Sequence, residues 1–402
     1  MLSQEDIKTA RQVVSTIAHM TPLDFSHTYS TLIGSDIYLK LENLQKTGSF
    51  KIRGAYNKLM SLTPAERKRG VVAASAGNHA QGVAYSSSQA QINCTVVMPE
   101  GAPLAKVEAT KNYGANVILH GHTFDEALAF AEQHQQQTGA VFIHAFDDPH
   151  VIAGQGTIGL EILEQLPDVD SIVCPIGGGG LIAGIALAVK QTHPHVKVYG
   201  VQAAQCPSML SSLKAQQPVQ VTTEGTIADG IAVKKPGKLT FDLVQQYVDD
   251  VVAVSEDEIS RTMLYLLERS KLLVEGSGAV GLAALLNGKL NLKRQKVAVI
   301  ISGGNVDITF ISRMIELGLV EAGRYLSIVT IVPDRPGNLS RLLTLLAKLK
   351  ANVISVNHYR ISPRLKPGQT EIEIAMETRN HEHIKEIENE LAANGYHFTK
   401  KV

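Results

Sequence analysis

Short runs of β-branched and aliphatic residues recur through the first three quarters of the chain, at 71–74, 93–98, 116–120, 140–144, 171–174 and 196–201. Nearly all are followed by a longer stretch with helix-compatible spacing of apolar positions, as at 78–89, 104–113 and 123–134. Short strands alternating with helices predict parallel sheet covered by helices on both faces. A helix over 4–18 and a strand over 36–42 precede the series. A strand over 251–254, helices over 256–271 and 276–286 and a strand over 296–301 extend it.

The pattern changes near 316–324, where glycines punctuate the chain and the strand-helix alternation stops. Beyond it, 325–332 reads as a strand and Pro333-Asp334-Arg335-Pro336-Gly337 as a tight turn. Asn338 is then expected to cap a helix whose apolar stripe is Leu339, Leu342, Leu343, Leu346 and Leu349. Segments 353–361 and 370–376 are expected to pair around a turn over 363–368, before a helix over 381–394 and a strand near 395–399. The order βαββαβ is that of a ferredoxin-like domain.

Composition narrows the classes of function. A chain of 402 residues with 44% hydrophobic content has room for two or three domains and a sizeable core. Its 38 basic residues balance 38 acidic ones, so no net field draws it to nucleic acid or to an anionic membrane, and a small-molecule partner is expected. The polar start, Met1-Leu2-Ser3-Gln4-Glu5-Asp6, lacks the order of a signal peptide, and no apolar run reaches about 18 residues, so a cytoplasmic location is expected. Cys94, Cys174 and Cys206 are odd in number and far apart, which suits core packing in a reducing compartment. The pairs His120/His122, His193/His195 and His381/His383 each lack a third clustered ligand, so no metal is expected.

Candidate chemistry begins at Lys46-Thr47-Gly48-Ser49-Phe50-Lys51-Ile52-Arg53-Gly54. A lysine amine attacks a carbonyl carbon only when deprotonated, so a catalytic lysine needs desolvation or a cationic neighbour to lower a pKa of about 10.4. Phe50 and Ile52 offer the first and Arg53 the second. Lysines between apolar residues also occur on ordinary amphipathic surfaces, so the context has to decide. Three glycine-rich turns supply it: Ser75-Ala76-Gly77-Asn78-His79-Ala80-Gln81-Gly82, Gly177-Gly178-Gly179-Gly180-Leu181 and Ser302-Gly303-Gly304-Asn305. Each follows an apolar strand and opens a helix-compatible segment. Successive glycines let backbone approach a ligand closely, and N–H groups at a helix start make an anion site, so a phosphate is expected at 177–180.

A dinucleotide is the rival ligand, because Gly178-Gly179-Gly180-Leu181-Ile182-Ala183 fits the GxGxxG/A fingerprint. That fingerprint needs an acid at the end of the next strand, where this chain has Gln202. No Gly-x-x-x-x-Gly-Lys-Ser/Thr loop occurs either. A compact monophosphate beside an activated lysine points to pyridoxal 5′-phosphate.

The segment 49–54, the loop 75–82, the tetraglycine and 302–305, in this order, resemble the serine/threonine dehydratases of the fold-type II pyridoxal-phosphate enzymes. The likeness covers residues 1–320, and the tail from 325 to 402, with its Pro333-Asp334-Arg335-Pro336-Gly337 turn, resembles an ACT regulatory domain. Together they are similar to threonine ammonia-lyases with one C-terminal ACT domain. The resemblance implies a tryptophan synthase β-like fold of two open twisted α/β subdomains, the smaller over roughly 46–145. Lys51 would hold the cofactor as a Schiff base, and Gly177, Gly178, Gly179, Gly180 and Leu181 would receive its phosphate. Phe50 would pack on the pyridine ring, Asn78 would bond the ring hydroxyl, Ser302 would face the ring nitrogen, and Glu275 would stand near the ring. Ser75, Ala76, Gly77, Asn78 and His79 would grip the substrate carboxylate.

The freed Lys51 amine would act as base at Cα, and the β-hydroxyl would leave protonated, giving a 2-oxo acid and ammonia. A neutral Ser302 cannot keep a proton on the ring nitrogen as an aspartate would, which favours prompt elimination. Related serine racemases place a second serine where this chain has Ala76, so racemisation is expected to be minor. Gln205-Cys206-Pro207 stands where some relatives carry an acidic metal-binding segment, which argues against that metal. Threonine ammonia-lyase is the favoured reading, with a serine dehydratase or racemase and an amino-acid-sensing ACT protein as alternatives. An amino-acid effector is expected at Arg335, Gly337, Asn338 and Leu339, between copies of a homo-oligomer, with a tetramer expected. Isoleucine as effector of a biosynthetic enzyme and a catabolic role under other control are both compatible with the sequence.

Overall fold

A computed structural model describes residues 2–361 and 365–401, and the chain forms two compact units, Met1–Asp307 and Ile308–Val402. Among the described residues the first unit contains ten strands: β1 (Leu23–Phe25), β2 (Asp36–Leu41), β3 (Val71–Ala74), β4 (Cys94–Met98), β5 (Asn116–Leu119), β6 (Val141–Phe142), β7 (Ser171–Pro175), β8 (Lys197–Ala203), β9 (Asp250–Val254) and β10 (Lys296–Ile301). They make two sheets, one in the order β1-β2-β10-β7-β8-β9 and a smaller one in the order β5-β4-β3-β6. All neighbours are parallel except β1 and β2.

Burial explains why these strands read as unbroken apolar runs. Every residue of β3 and β7 is buried, as expected for parallel strands covered on both faces. The helices Gly180–Lys190 and Gly276–Leu286 are buried along nearly their whole length, which their glycine, alanine and aliphatic composition permits. The helix Pro149–Gln165 packs against the first of these and is also largely buried. All three cysteines are buried and free, in agreement with core packing.

The second unit begins with the helix Ile308–Glu321, which occupies much of the glycine-punctuated break. Its sheet is antiparallel in the order β12-β13-β11-β14, formed by β11 (Tyr325–Pro333), β12 (Asn352–Tyr359), β13 (Gln369–Glu377) and β14 (Phe398–Lys400). With the helices Asn338–Lys348 and His381–Ala393 it has the expected βαββαβ order. Leu342 and Leu346 of the leucine stripe join Leu326, Ile328, Ile374 and Leu391 in one core. The expected N-cap is corrected: Gly337, at φ +89°, precedes the helix, and Asn338 is its first residue, with its amide donating to the Pro333 carbonyl at 2.7 Å. A left-handed glycine turns the chain there, so the asparagine side chain serves the turn rather than the cap. Pro363, in the turn expected at 363–368, lies outside the described residues. No helix among the described residues is long and apolar enough to cross a membrane.

Candidate active site

Lys51 opens the helix Lys51–Met60, and the residues before it are stitched to the turn after β10. Ser49 bridges Gly303, and the Phe50 N–H donates to the Ser302 carbonyl at 3.2 Å. Lys51 Nζ donates to the Ala145 carbonyl at 3.0 Å and stands 5.2 Å from the centre of the Phe50 ring. Burial lowers the amine's pKa to about 8, against the opposing attraction of the Glu275 carboxylate. At neutral pH roughly one amine in ten is then free of its extra proton.

Arg53 does not provide the cationic neighbour expected of it. Its guanidinium is fully buried and turned to Glu42 and Glu161, with Nη2 at 2.8 Å from Glu42 Oε1 and Nη1 at 2.6 Å from Glu161 Oε1. Lys40 completes this buried cluster at 2.7 Å from Glu161 Oε2. Two cations facing two carboxylates neutralise one another, so desolvation alone depresses Lys51.

The first and third glycine-rich turns meet beside the Lys51 segment, and the tetraglycine packs on Phe146, the neighbour of Ala145. Asn78, the first residue of the helix Asn78–Gln89, donates to Glu275 Oε1 at 2.6 Å and accepts from Asn305 Nδ2 at 2.8 Å. Asn305 also donates to the Thr47 carbonyl at 2.7 Å, which ties the lysine segment to Asn78. Glu275 takes a further bond from Ser277 Oγ at 2.7 Å, and burial raises its pKa. Ser302 is buried. The Ser75 hydroxyl accepts from the Gly77 N–H at 3.2 Å, ahead of a helix start with no side-chain cap. His79 is buried and its Nε2 lies 2.8 Å from the Ile143 carbonyl; burial and the Lys51 charge push its pKa down to about 3, so the ring is neutral and donates.

The tetraglycine joins β7 to the helix Gly180–Lys190, with Gly179 at φ +97° and no side-chain cap. A methyl group at Gly178 would overlap the Phe146 ring, and one at Gly180 would lie 2.9 Å from Phe146 backbone and Cβ. Thr240 Oγ1 fixes the loop by donating to the Gly178 carbonyl at 2.7 Å. Leading N–H groups of a helix without a side-chain acceptor favour an anion.

A family model described as "Pyridoxal-phosphate dependent enzyme" matches residues 14–303, and the "ACT domain" model matches residues 326–395. The chain belongs to the pyridoxal-phosphate dependent enzymes. This pyridoxal-phosphate dependent chain is 55% identical to the L-threonine ammonia-lyase of Thermotoga maritima over 396 residues, covering 98% of each. It is 53% identical to the L-threonine ammonia-lyase of Geobacter sulfurreducens, covering 94% of each. Among solved structures, the processed form of threonine deaminase isoform 2 from Solanum lycopersicum superposes with a TM-score of 0.75 at 38% identity, over 79% of this chain and 87% of that one. Maize serine racemase does so with a TM-score of 0.75 at 35% identity, over 79% and 98%.

The residues fit the family's cofactor. Lys51 is a half-buried lysine whose amine is held by a carbonyl, not by a carboxylate, and the glycine loop lies so close to Phe146 that no Cβ fits at Gly178 or Gly180. Arg335, Gly337, Asn338 and Leu339 belong to the other unit, the first two exposed and the last two half-buried. Sequence reading missed His144, Ala145, Phe146 and Thr240, which hold Lys51 and the glycine loop, and assigned no role to Asn305. For Asn305 a signal existed, since it closes the third glycine-rich turn.

Proposed function

We propose that this chain is an L-threonine ammonia-lyase, a carbon–nitrogen lyase that converts L-threonine to 2-oxobutanoate and ammonia, and L-serine to pyruvate as a lesser activity. The observation that carries the proposal is the half-buried Lys51, its amine lowered to about pKa 8 and bonded to the Ala145 carbonyl beside the glycine loop. The names of the relatives at 55% and 53% identity supply the substrate. Pyridoxal phosphate, when bound, supplies the electron sink that makes the substrate Cα proton acidic. Lys51 would hold it through its amine, with Gly177 to Leu181 at the phosphate, Phe50 and Glu275 at the ring, Asn78 at the ring hydroxyl and Ser302 at the ring nitrogen.

Each side chain then has one task. The N–H groups and side chains over 75–79 would bind and orient the substrate carboxylate, which points Cα at one face of the site. Lys51 would remove the Cα proton, a general-base effect worth on the order of 10² to 10⁴ in rate. Its low pKa lets the amine take that proton near neutral pH. Ser302, being neutral, would donate a hydrogen bond to the ring nitrogen without transferring its proton. Ala76 carries no proton, so nothing at that position returns one to the opposite face of Cα.

The catalytic part would span 1–320, with a smaller subdomain over about 46–145, and 325–402 would be regulatory. An amino acid would bind at Arg335, Gly337, Asn338 and Leu339 between copies of a homotetramer in the cytoplasm. The test is to incubate purified protein with L-threonine and measure 2-oxobutanoate. Formation of the oxo acid with stoichiometric ammonia is expected, and a yellow protein that forms none from threonine would refute the substrate. Comparing threonine saturation with and without isoleucine, in the full chain and after removal of 325–402, tests regulation. Identical curves in all four cases would refute it.

A further inference from the structure

Residues 143–147, between β6 and the helix Pro149–Gln165, touch three parts of the site, and one side chain folds them. His144 Nδ1 accepts the N–H of Phe146 at 3.2 Å and that of Asp147 at 2.8 Å. A ring nitrogen that accepts carries no proton, so the imidazole is neutral with its proton on Nε2. Burial acts in the same direction, lowering the ring's pKa although Asp147 and Asp148 attract a proton to it.

The two bonds close a tight turn, and the turn delivers three contacts. It aims the Ala145 carbonyl at Lys51 Nζ, 3.0 Å away. It lays Phe146 against Gly178 and Gly180 of the glycine loop, with the Phe146 ring edge-on to the His144 ring at 4.6 Å. It also places the Asp147 carboxylate to accept the N–H of Thr240 at 2.9 Å and of Lys238 at 3.1 Å. Thr240 in turn bonds the Gly178 carbonyl at 2.7 Å. Upstream, His79 anchors the segment through the Ile143 carbonyl.

We propose that His144 is a positioning residue whose Nδ1 sets the turn that holds the Lys51 amine and backs the phosphate-binding glycine loop together. The proposal rests on the pyridoxal-phosphate reading given above. It assigns to an imidazole the work an asparagine does in an Asx-turn, where a side-chain acceptor takes backbone N–H groups two and three residues on. That equivalence supplies the test. His144→Asn keeps an acceptor at nearly the same reach and loses the ring. His144→Leu keeps apolar bulk and loses the acceptor.

The measurement is the dissociation constant of pyridoxal 5′-phosphate from the full-length holoenzyme, followed by absorbance, together with kcat on L-threonine. His144→Leu is expected to weaken cofactor binding at least tenfold and to lower kcat, while His144→Asn stays within threefold of wild type in both. Equal loss in both variants, no loss in either, or loss confined to His144→Asn would overturn the proposal, since none of these follows if the ring nitrogen sets the turn. Should His144→Leu not fold, His144→Gln replaces it. Its acceptor sits one carbon too far out, so cofactor affinity at least tenfold below that of His144→Asn is expected, and equal affinity would overturn the proposal. Wild-type chain that takes up no cofactor would defeat both readings. Uptake by wild type with the variants ranked otherwise would defeat only the turn.

Discussion

Lys40 and Lys51 are eleven positions apart, and desolvation lowers the pKa of both amines, yet Lys40 is fully buried, Lys51 is half-buried, and their partners differ in kind. Lys40 Nζ donates to Glu161 at 2.7 Å, to the Thr21 carbonyl at 2.7 Å and to Gln165 at 2.9 Å, so all three of its donors are used. Burial lowers its pKa, and Glu161 and Glu42 pull it back. Lys51 has the Ala145 carbonyl as its hydrogen-bond acceptor and only the attraction of Glu275 against burial. Burial by itself therefore does not make a lysine reactive. On the proposed reading, desolvation left uncompensated does, and the compensated lysine becomes part of the frame.

The largest expected effect separates the two lysines by activity. Lys51→Ala should lower turnover of L-threonine by about 10³-fold or more. Thermal unfolding of the cofactor-free protein should be unchanged or slightly later, because a desolvated amine with one hydrogen bond is being removed. A variant that keeps normal turnover would erase the contrast.

Next in size is the frame. Arg53→Met would leave Glu42 and Glu161 short of their shared guanidinium, and one-sided loss of a buried ion pair costs about 3–5 kcal/mol. Denaturant unfolding of the cofactor-free protein measures it, and a loss below about 1 kcal/mol would mean that the cluster is not buried as described.

Acidity gives a third handle. The rate at which cofactor-free protein takes up pyridoxal phosphate should rise about tenfold per pH unit below about 8 and level off above it, because the neutral amine reacts and its pKa is about 8. His79 has the opposite bearing on stability. Its folded pKa, about 3, lies below the ordinary 6.5, so the folded state resists protonation, and stability should fall as pH drops from about 6.5 towards 3. His79→Gln should flatten that slope in urea unfolding curves recorded across the range.

The smallest expected effect tests the seam between the glycine turns. Asn305→Ala removes bonds to Thr47 and Asn78 and should cost about 1–3 kcal/mol in stability. Cofactor affinity should fall with it by about tenfold, since Asn78 then loses the amide that fixes its orientation. A change in neither would leave Asn305 without a role.

The regular parts of the molecule were readable from sequence because their signals are local. The helices Asn78–Gln89 and Gly276–Leu286 and the strand Lys296–Ile301 have the ends that the pattern predicted. The Lys51 segment and the glycine turns stand out in composition and order, and the structure ties that segment to the first and third turns through Asn305 and Ser302. The helix Pro149–Gln165 was not assigned, since Gly154, Gly156 and Gly159 lower helix propensity and only burial against the neighbouring helix makes up for them. Glycines at 318 and 323 likewise made the helix Ile308–Glu321 look like a break.

The turn at 144–147 has no period, and its contacts reach to Lys51, Thr240 and Gly178, so nothing local announces it. Arg53 was misread for the same reason. Its partners Glu42 and Glu161 are set by the fold, and residues adjacent in sequence gave no sign that its charge was already matched.

The most direct test of the contrast between the two lysines is chemical. Holoenzyme would be reduced with borohydride, digested, and its pyridoxyl-bearing peptides located by mass spectrometry. The expected result is a single modified residue, Lys51, with Lys40 untouched. Label on Lys40 or on any other lysine, with Lys51 unmodified, would contradict it.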